Sequence, residues 1–111
     1  MTRYRQPDMV VDAGDRVVLT FTVDVDGVLT DAATVKLRVT RPDGTVMTYT
    51  RSGTDISAQA PDSASITRAA QGTYDGAFNT DPALPGDWLG KMWTEGTVVT
   101  AGRELVIRVG A

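Results

Sequence analysis

Arg16-Val17-Val18-Leu19-Thr20-Phe21-Thr22-Val23-Asp24-Val25, followed after a short gap by Val35-Lys36-Leu37-Arg38-Val39-Thr40, decides the fold class. In the first stretch Val17, Leu19, Phe21, Val23 and Val25 share one face. Arg16, Thr20, Thr22 and Asp24 take the other, with Val18 the exception. In the second, Val35, Leu37 and Val39 alternate with Lys36, Arg38 and Thr40. Side chains of a strand point alternately to its two faces, so this period of two predicts antiparallel strands with one face on a core and one in water. The turn Arg41-Pro42-Asp43-Gly44-Thr45 follows. Its proline is preset for a turn and its glycine is free to take positive φ, which predicts a tight hairpin into a strand over 45–50.

Outward from this pair, the rest of the chain reads the same way. A short strand is expected near Met9 to Asp12, turned by Ala13-Gly14-Asp15 into a long strand over 16–25. Asp26-Gly27 is a two-residue hairpin signal, with Val28-Leu29 as a short return strand. Residues 51–63 lack alternation, hold Ile56 as a lone apolar anchor, and read as a mobile loop. A strand near Ser65 to Arg68, a corner at Ala70-Gln71-Gly72, and strands over 73–79, 87–94, 97–100 and 103–109 complete the series. Trp88 and Trp93 face opposite ways if the 87–94 strand is regular. A β-bulge at Gly90 would bring them to one side; without it, one indole is exposed or sits at an interface. Seven to nine short strands with frequent turns, and no sustained helical period, predict an all-β antiparallel sandwich.

Length and composition narrow the function. With 111 residues the chain is expected to form one domain over 8–111, preceded by an arm over 1–7 that ends at Pro7. There is no cysteine and no histidine, which excludes disulfides, thiolate metal sites, imidazole ligands and every His-based nucleophilic mechanism. The net charge of −3 is unlike the basic balance of a nucleic-acid binder. Apolar runs are only a few residues long, too short for a membrane-spanning helix, and the first residues lack a secretory signal's apolar core. Neither nucleic acid nor membrane is therefore an expected partner, and synthesis in a cytoplasm is expected.

Aspartates are numerous but sit in turn sequences, where their side chains cap backbone groups. Asp24-Val25-Asp26-Gly27 opens like a calcium loop, with Asp31 nearby, but no glutamate closes it. Asp12 with Asp15, and Asp81 with Asp87, are the carboxylate pairs that acid–base chemistry would need; a glycosidase would also need a shaped cleft. No catalytic, cofactor or metal residue is expected. The side chains that stand out are Arg3, Tyr4, Arg5 and Trp93, because arginine and large aromatics are favoured at protein interfaces. Trp93 with Tyr49 is the pair that would form a platform for a sugar, and Arg16, Lys36, Arg38, Arg103 and Arg108 are expected on solvent-facing strand surfaces.

Gly72-Thr73-Tyr74 resembles the tyrosine corner of immunoglobulin-like domains, in which a tyrosine hydroxyl folds back onto nearby backbone. The succession of Gly14-Asp15-Arg16-Val17-Val18-Leu19-Thr20-Phe21, the Arg41–Thr45 hairpin, Gly72-Thr73-Tyr74 and Pro85-Gly86-Asp87-Trp88 resembles small immunoglobulin-like virion proteins of tailed bacteriophages and prophages. The resemblance covers roughly residues 9–109. It implies an immunoglobulin-like β-sandwich with no active site, located in the virion after synthesis in the host cytoplasm. Such a protein would be present in multiple copies or as a homo-oligomer, binding phage capsid or tail proteins as a head decoration, head–tail or tail module. The contrasting expectation is a carbohydrate- or receptor-binding sandwich that uses loop 51–63 and an exposed tryptophan.

Overall fold

A computed structural model describes residues 6–110. It is all-β. The strands are β1 (Met9–Asp12), β2 (Arg16–Thr22), β3 (Asp24–Val25), β4 (Val28–Leu29), β5 (Thr34–Thr40), β6 (Val46–Ser52), β7 (Ile56–Gln59), β8 (Ala64–Ala70), β9 (Thr73–Asn79), β10 (Gly86–Glu95) and β11 (Leu105–Gly110). Two sheets hold nine of them. One has the order β1-β11-β10-β5-β6 and the other β2-β9-β8-β7, while β3 and β4 pair only with each other. Every pairing is antiparallel except β1 with β11, which is parallel from Met9↔Ile107 to Asp12↔Gly110.

The alternation read from the sequence is what faces the sheets together. Val35, Leu37 and Val39 of β5 and Val17 and Leu19 of β2 are buried, as are Ile66, Tyr74, Phe78, Trp88 and Ile107 from their neighbours. Trp88 stacks on Phe78 with centroids 6.0 Å apart and planes 19° off parallel, and its indole N–H donates to the Leu84 carbonyl at 2.9 Å. Burying a tryptophan is tolerable because its one polar atom has a partner. The Pro42-Asp43-Gly44 turn closes as expected: Arg41 N–H donates to Thr45 O at 2.8 Å, and the Asp43 carboxylate accepts the Thr45 N–H at 2.9 Å.

Four expectations are corrected. The long strand over 16–25 breaks at Val23, whose N–H donates to Gly72 O at 2.7 Å while its side chain stays in the core. Beyond it the chain leaves the sheet as the separate β3–β4 hairpin, which turns on Asp26 (φ 53°) and Gly27 (φ 83°). The loop expected over 51–63 contains β7, paired with β8. Residues 97–100 form no strand; Thr94 Oγ1 accepts the Thr100 N–H at 2.8 Å and bonds the Val98 carbonyl at 3.0 Å, curling the segment back on β10. Finally, the Tyr74 hydroxyl accepts the Ala32 N–H at 3.0 Å, 42 residues away in sequence. It bolts β9 to the approach to β5 in the opposite sheet instead of closing a local tyrosine corner.

Candidate interaction face

β10 runs through Gly90 without a bulge: Leu89, Gly90 and Lys91 pair in unbroken register with Thr40, Val39 and Arg38. The glycine has another cause. A Cβ there would lie 2.7 Å from Leu19 Cδ1, so its absence makes room for a side chain of the facing sheet. A regular strand sends Trp88 inward and Trp93 outward, which realises the alternative of one indole on a surface. Trp93 is half-buried on the outer face of the five-stranded sheet.

Register decides what surrounds it. Trp93 lies directly across from Lys36, and Lys91 directly across from Arg38, all four pointing away from the core. Opposed residues in an antiparallel pair sit with Cβ atoms about 5 Å apart, so three cations and one indole form a compact array. The Arg38 guanidinium lies 6.0 Å from the Trp93 ring centroid and donates to Glu104 Oε2 at 3.0 Å. Trp93 Nε1–H donates to Glu95 Oε2 at 2.9 Å, which fixes the ring. Lys36 and Lys91 have no ion-pair partner among the described residues. The 95–104 segment supplies the other wall. Thr94, held by Thr100, and the Trp93↔Ala101 bridge set Val99 beside the indole, enclosing a groove of about 220 Å³. Val99 is 75 % exposed.

A second cavity, about 180 Å³, opens between β2 and β10 and is lined mainly by Leu19, Phe21, Met92 and Leu105, with Arg103 at its mouth. Its walls are mostly apolar, and the hydroxyl of Thr20, the one hydroxyl among its lining residues, is engaged with Asp75 at 2.9 Å.

The other sequence candidates are not assembled into a site. Tyr49 lies in the core face of β6, opposite Leu37, so it shares no surface with Trp93 and the sugar platform is absent. Asp24 Oδ1 accepts the Gly27 N–H at 2.7 Å as a turn cap. Asp31 is spent elsewhere, on Arg68 Nε at 3.1 Å and the Gly72 N–H at 2.7 Å, and the Arg68 hydrogen bond holds its carboxyl below the usual aspartate range. Asp15 caps Asp12 N–H, Asp81 caps Ala83 N–H, and Asp87 pairs with Arg108. Among the described residues no three His, Cys, Asp or Glu side chains gather as metal ligands. Arg3, Tyr4 and Arg5 lie outside the described residues.

Sequence reading missed one cluster. Asp62, in the segment read as a loop, is fully buried, and its carboxylate accepts from Arg41 Nε at 2.9 Å, Arg41 Nη2 at 2.6 Å and the Tyr49 hydroxyl at 2.5 Å. Arg41 also lies over the Trp88 ring, 5.5 Å from its centroid. Burial, reinforced by the hydrogen bond to Asp62, pushes the Tyr49 phenol well above its ordinary value. The bond to Asp62 likewise raises Arg41. Asp62 and Tyr49 are buried, Arg41 keeps a small exposed fraction, and the three satisfy one another, an arrangement that ties strand β6 to the segments that hold Arg41 and Asp62. No local pattern marks it, because its members lie on separate strands and loops.

No protein-family model matches the chain, and comparison with curated proteins finds no relative.

Proposed function

We propose that this protein is a non-enzymatic, multi-copy structural component of a tailed-phage virion, an immunoglobulin-like module that binds capsid or tail subunits. The observation that carries the reading is where the chain places its accessible binding groups. Trp93, Lys36 and Lys91 occupy a sheet face with Val99 of the 95–104 segment beside them, and Val25, Val28 and Leu29 lie on a separate hairpin, both shapes suited to protein surfaces. The immunoglobulin-like assignment is supported by the order of strands. The first strand lies parallel to the last in one sheet, and β2, β9 and β8 are neighbours in the other. Fold alone does not assign a role; the segment order that resembles phage virion proteins adds the context.

The test is composition of particles. Virions purified from the phage or prophage that encodes the chain should contain it in many copies by quantitative mass spectrometry. Deletion of residues 1–7 should remove it from particles while the purified protein keeps its fold. Particles devoid of the wild-type protein would refute the proposal, and normal incorporation of the truncated chain would refute the role of the arm.

The second reading, a glycan- or receptor-binding module, draws on the groove beside Trp93. Binding on a glycan array that Trp93→Ala abolishes would establish it in place of the first.

A further inference from the structure

The β3–β4 hairpin and the Trp93 groove are complementary in both charge and polarity. The hairpin presents Val25, Val28 and Leu29 at 40 %, 61 % and 44 % exposure, flanked by exposed Asp24 and Asp26. Each of its strands has two residues, and they pair only with each other. A bare two-stranded ribbon of this kind gains little stability alone, and its apolar side chains are only partly covered among the described residues. The groove presents the reverse. Its apolar wall is Trp93 and Val99, Arg38 and Lys91 line it, and Lys36 stands directly across from Trp93 in the sheet. Arg38 is already paired with Glu104 at 3.0 Å, whereas Lys91, directly opposite Arg38, and Lys36 have no ion-pair partner among the described residues and are the cations that an arriving carboxylate would meet.

We propose that the β3–β4 hairpin of one copy docks in the Trp93 groove of a second copy. Val28 and Leu29 meet the indole and Val99, and Asp26 meets Lys91 and Lys36. Several features favour this occupant over an unrelated one. The protein carries net charge −3, yet this face gathers cations, so its own acidic projections are drawn to it. The contact joins unlike surfaces, so an open assembly of any length keeps one free hairpin and one free groove at its ends unless it closes. The inference rests on the multi-copy reading above, but it is measured on purified protein, so its failure leaves incorporation into particles untouched.

The experiment is sedimentation velocity of the full chain over a concentration series, at about 0.01 M and 1 M salt, where the Debye length is about 30 Å and 3 Å. The wild type should self-associate at low salt, with the apparent dissociation constant rising by about tenfold or more at high salt. Asp26→Asn with Val28→Lys reverses the hairpin, and Asp26→Asn suits the positive φ at that position. Lys36→Glu with Lys91→Glu reverses the groove. Each double variant should be monomeric alone, and an equimolar mixture of the two should associate into heterodimers, since the groove variant still carries the native hairpin and the hairpin variant the native groove. Recovery in the mixture excludes misfolding as the cause of either loss. A wild type that stays monomeric at both salts overturns the proposal, as does self-association that survives both variants or a mixture that stays monomeric. Binding of a polyanion such as heparin by a monomeric wild type, lost with Lys36→Glu and Lys91→Glu, would assign the groove to an anionic ligand and overturn it as well.

Discussion

Replacing Asp62 by alanine should be among the most damaging single changes in this chain. The carboxylate is fully buried and accepts three hydrogen bonds, two from Arg41 and one from Tyr49. Removing it leaves the Arg41 guanidinium, whose side chain is only 15 % exposed, without a counter-charge. Breaking a buried ion pair from one side costs about 3–5 kcal/mol, because the surviving charge stays desolvated. Arg41 retains the Trp88 ring and a little solvent, which places its share near the lower end. The Tyr49 hydroxyl also loses its acceptor, adding about 1 kcal/mol. For 111 residues, at about 2.1 cal/mol/K per residue, each kcal/mol moves the melting temperature by about 4 °C, so Asp62→Ala should lower it by roughly 16–20 °C. Calorimetry gives this directly, and urea unfolding with an unchanged slope would show that the native state alone is affected. The companion is Arg41→Met, Tyr49→Phe and Asp62→Leu together, which removes charges and hydroxyl at once. Buried ion pairs replaced as a whole by apolar groups lose little, so the triple variant should recover roughly half or more of the loss. A fall of under about 4 °C for Asp62→Ala, or a triple variant no more stable than the single one, would refute the reasoning.

The phenol of Tyr49 is held above its ordinary value of 10.0, so the folded state keeps a proton that the unfolded chain releases. Stability from this group is complete below pH 10 and is lost as the pH climbs toward the folded value; chemical denaturation across that range should show a decline that Tyr49→Phe flattens. Asp31 and Asp55 have the opposite sign. Hydrogen bonds from Arg68 and Arg51 respectively depress their pKa values below the ordinary 3.8, so their contribution is present above that pH and disappears as the pH falls below it. Asp31→Asn with Asp55→Asn should make melting temperature less sensitive to acid in that window, and an unchanged acid profile would show these pairs to be inert. At Gly102 a Cβ would sit 2.8 Å from the Met92 carbonyl oxygen and 2.9 Å from the Phe21 ring. Gly102→Ala should therefore cost about 1–3 kcal/mol, read as a drop in melting temperature; no drop would mean that the 95–104 segment yields freely.

Legibility of the sequence followed the range of the forces involved. The alternation of β5 and most of β2 was plain because one face meets a core along its whole length. Asp26-Gly27 and Pro42-Asp43-Gly44 were plain because the turn conformation is written in the turn residues themselves. The break at Val23 was hidden, since a residue that leaves the sheet still keeps its side chain inward and preserves the period. β7 was hidden for the opposite reason. Ser57, Ala58 and Gln59 are exposed, and the strand is held by its pairing with β8, by the Arg51–Asp55 bond and by Asp62. Gly90 shows the limit of local rules. A glycine between two tryptophans suggested a bulge, whereas it answers Leu19 from the other sheet. Trp93 was legible as a candidate, but its neighbours Lys36 and Arg38 were not, because only the register of β5 against β10 brings them alongside.

The parallel pairing of β1 with β11 governs how the molecule bears load. The two strands point the same way, so the chain enters at the Met9 end of the ladder and leaves at the Gly110 end. Asp8 N–H to Val106 O at 2.8 Å and Ala13 N–H to Gly110 O at 3.0 Å extend the ladder at both ends. Tension applied between entry and exit therefore pulls the strands along their length, and the bonds of the ladder must fail together, in shear. An antiparallel terminal pair pulled from one end would instead open like a zipper, bond by bond. The seam that joins the first described strand to the last is thus also the mechanical clamp of the domain, and an atomic-force measurement on a chain held at both termini should meet its peak resistance there.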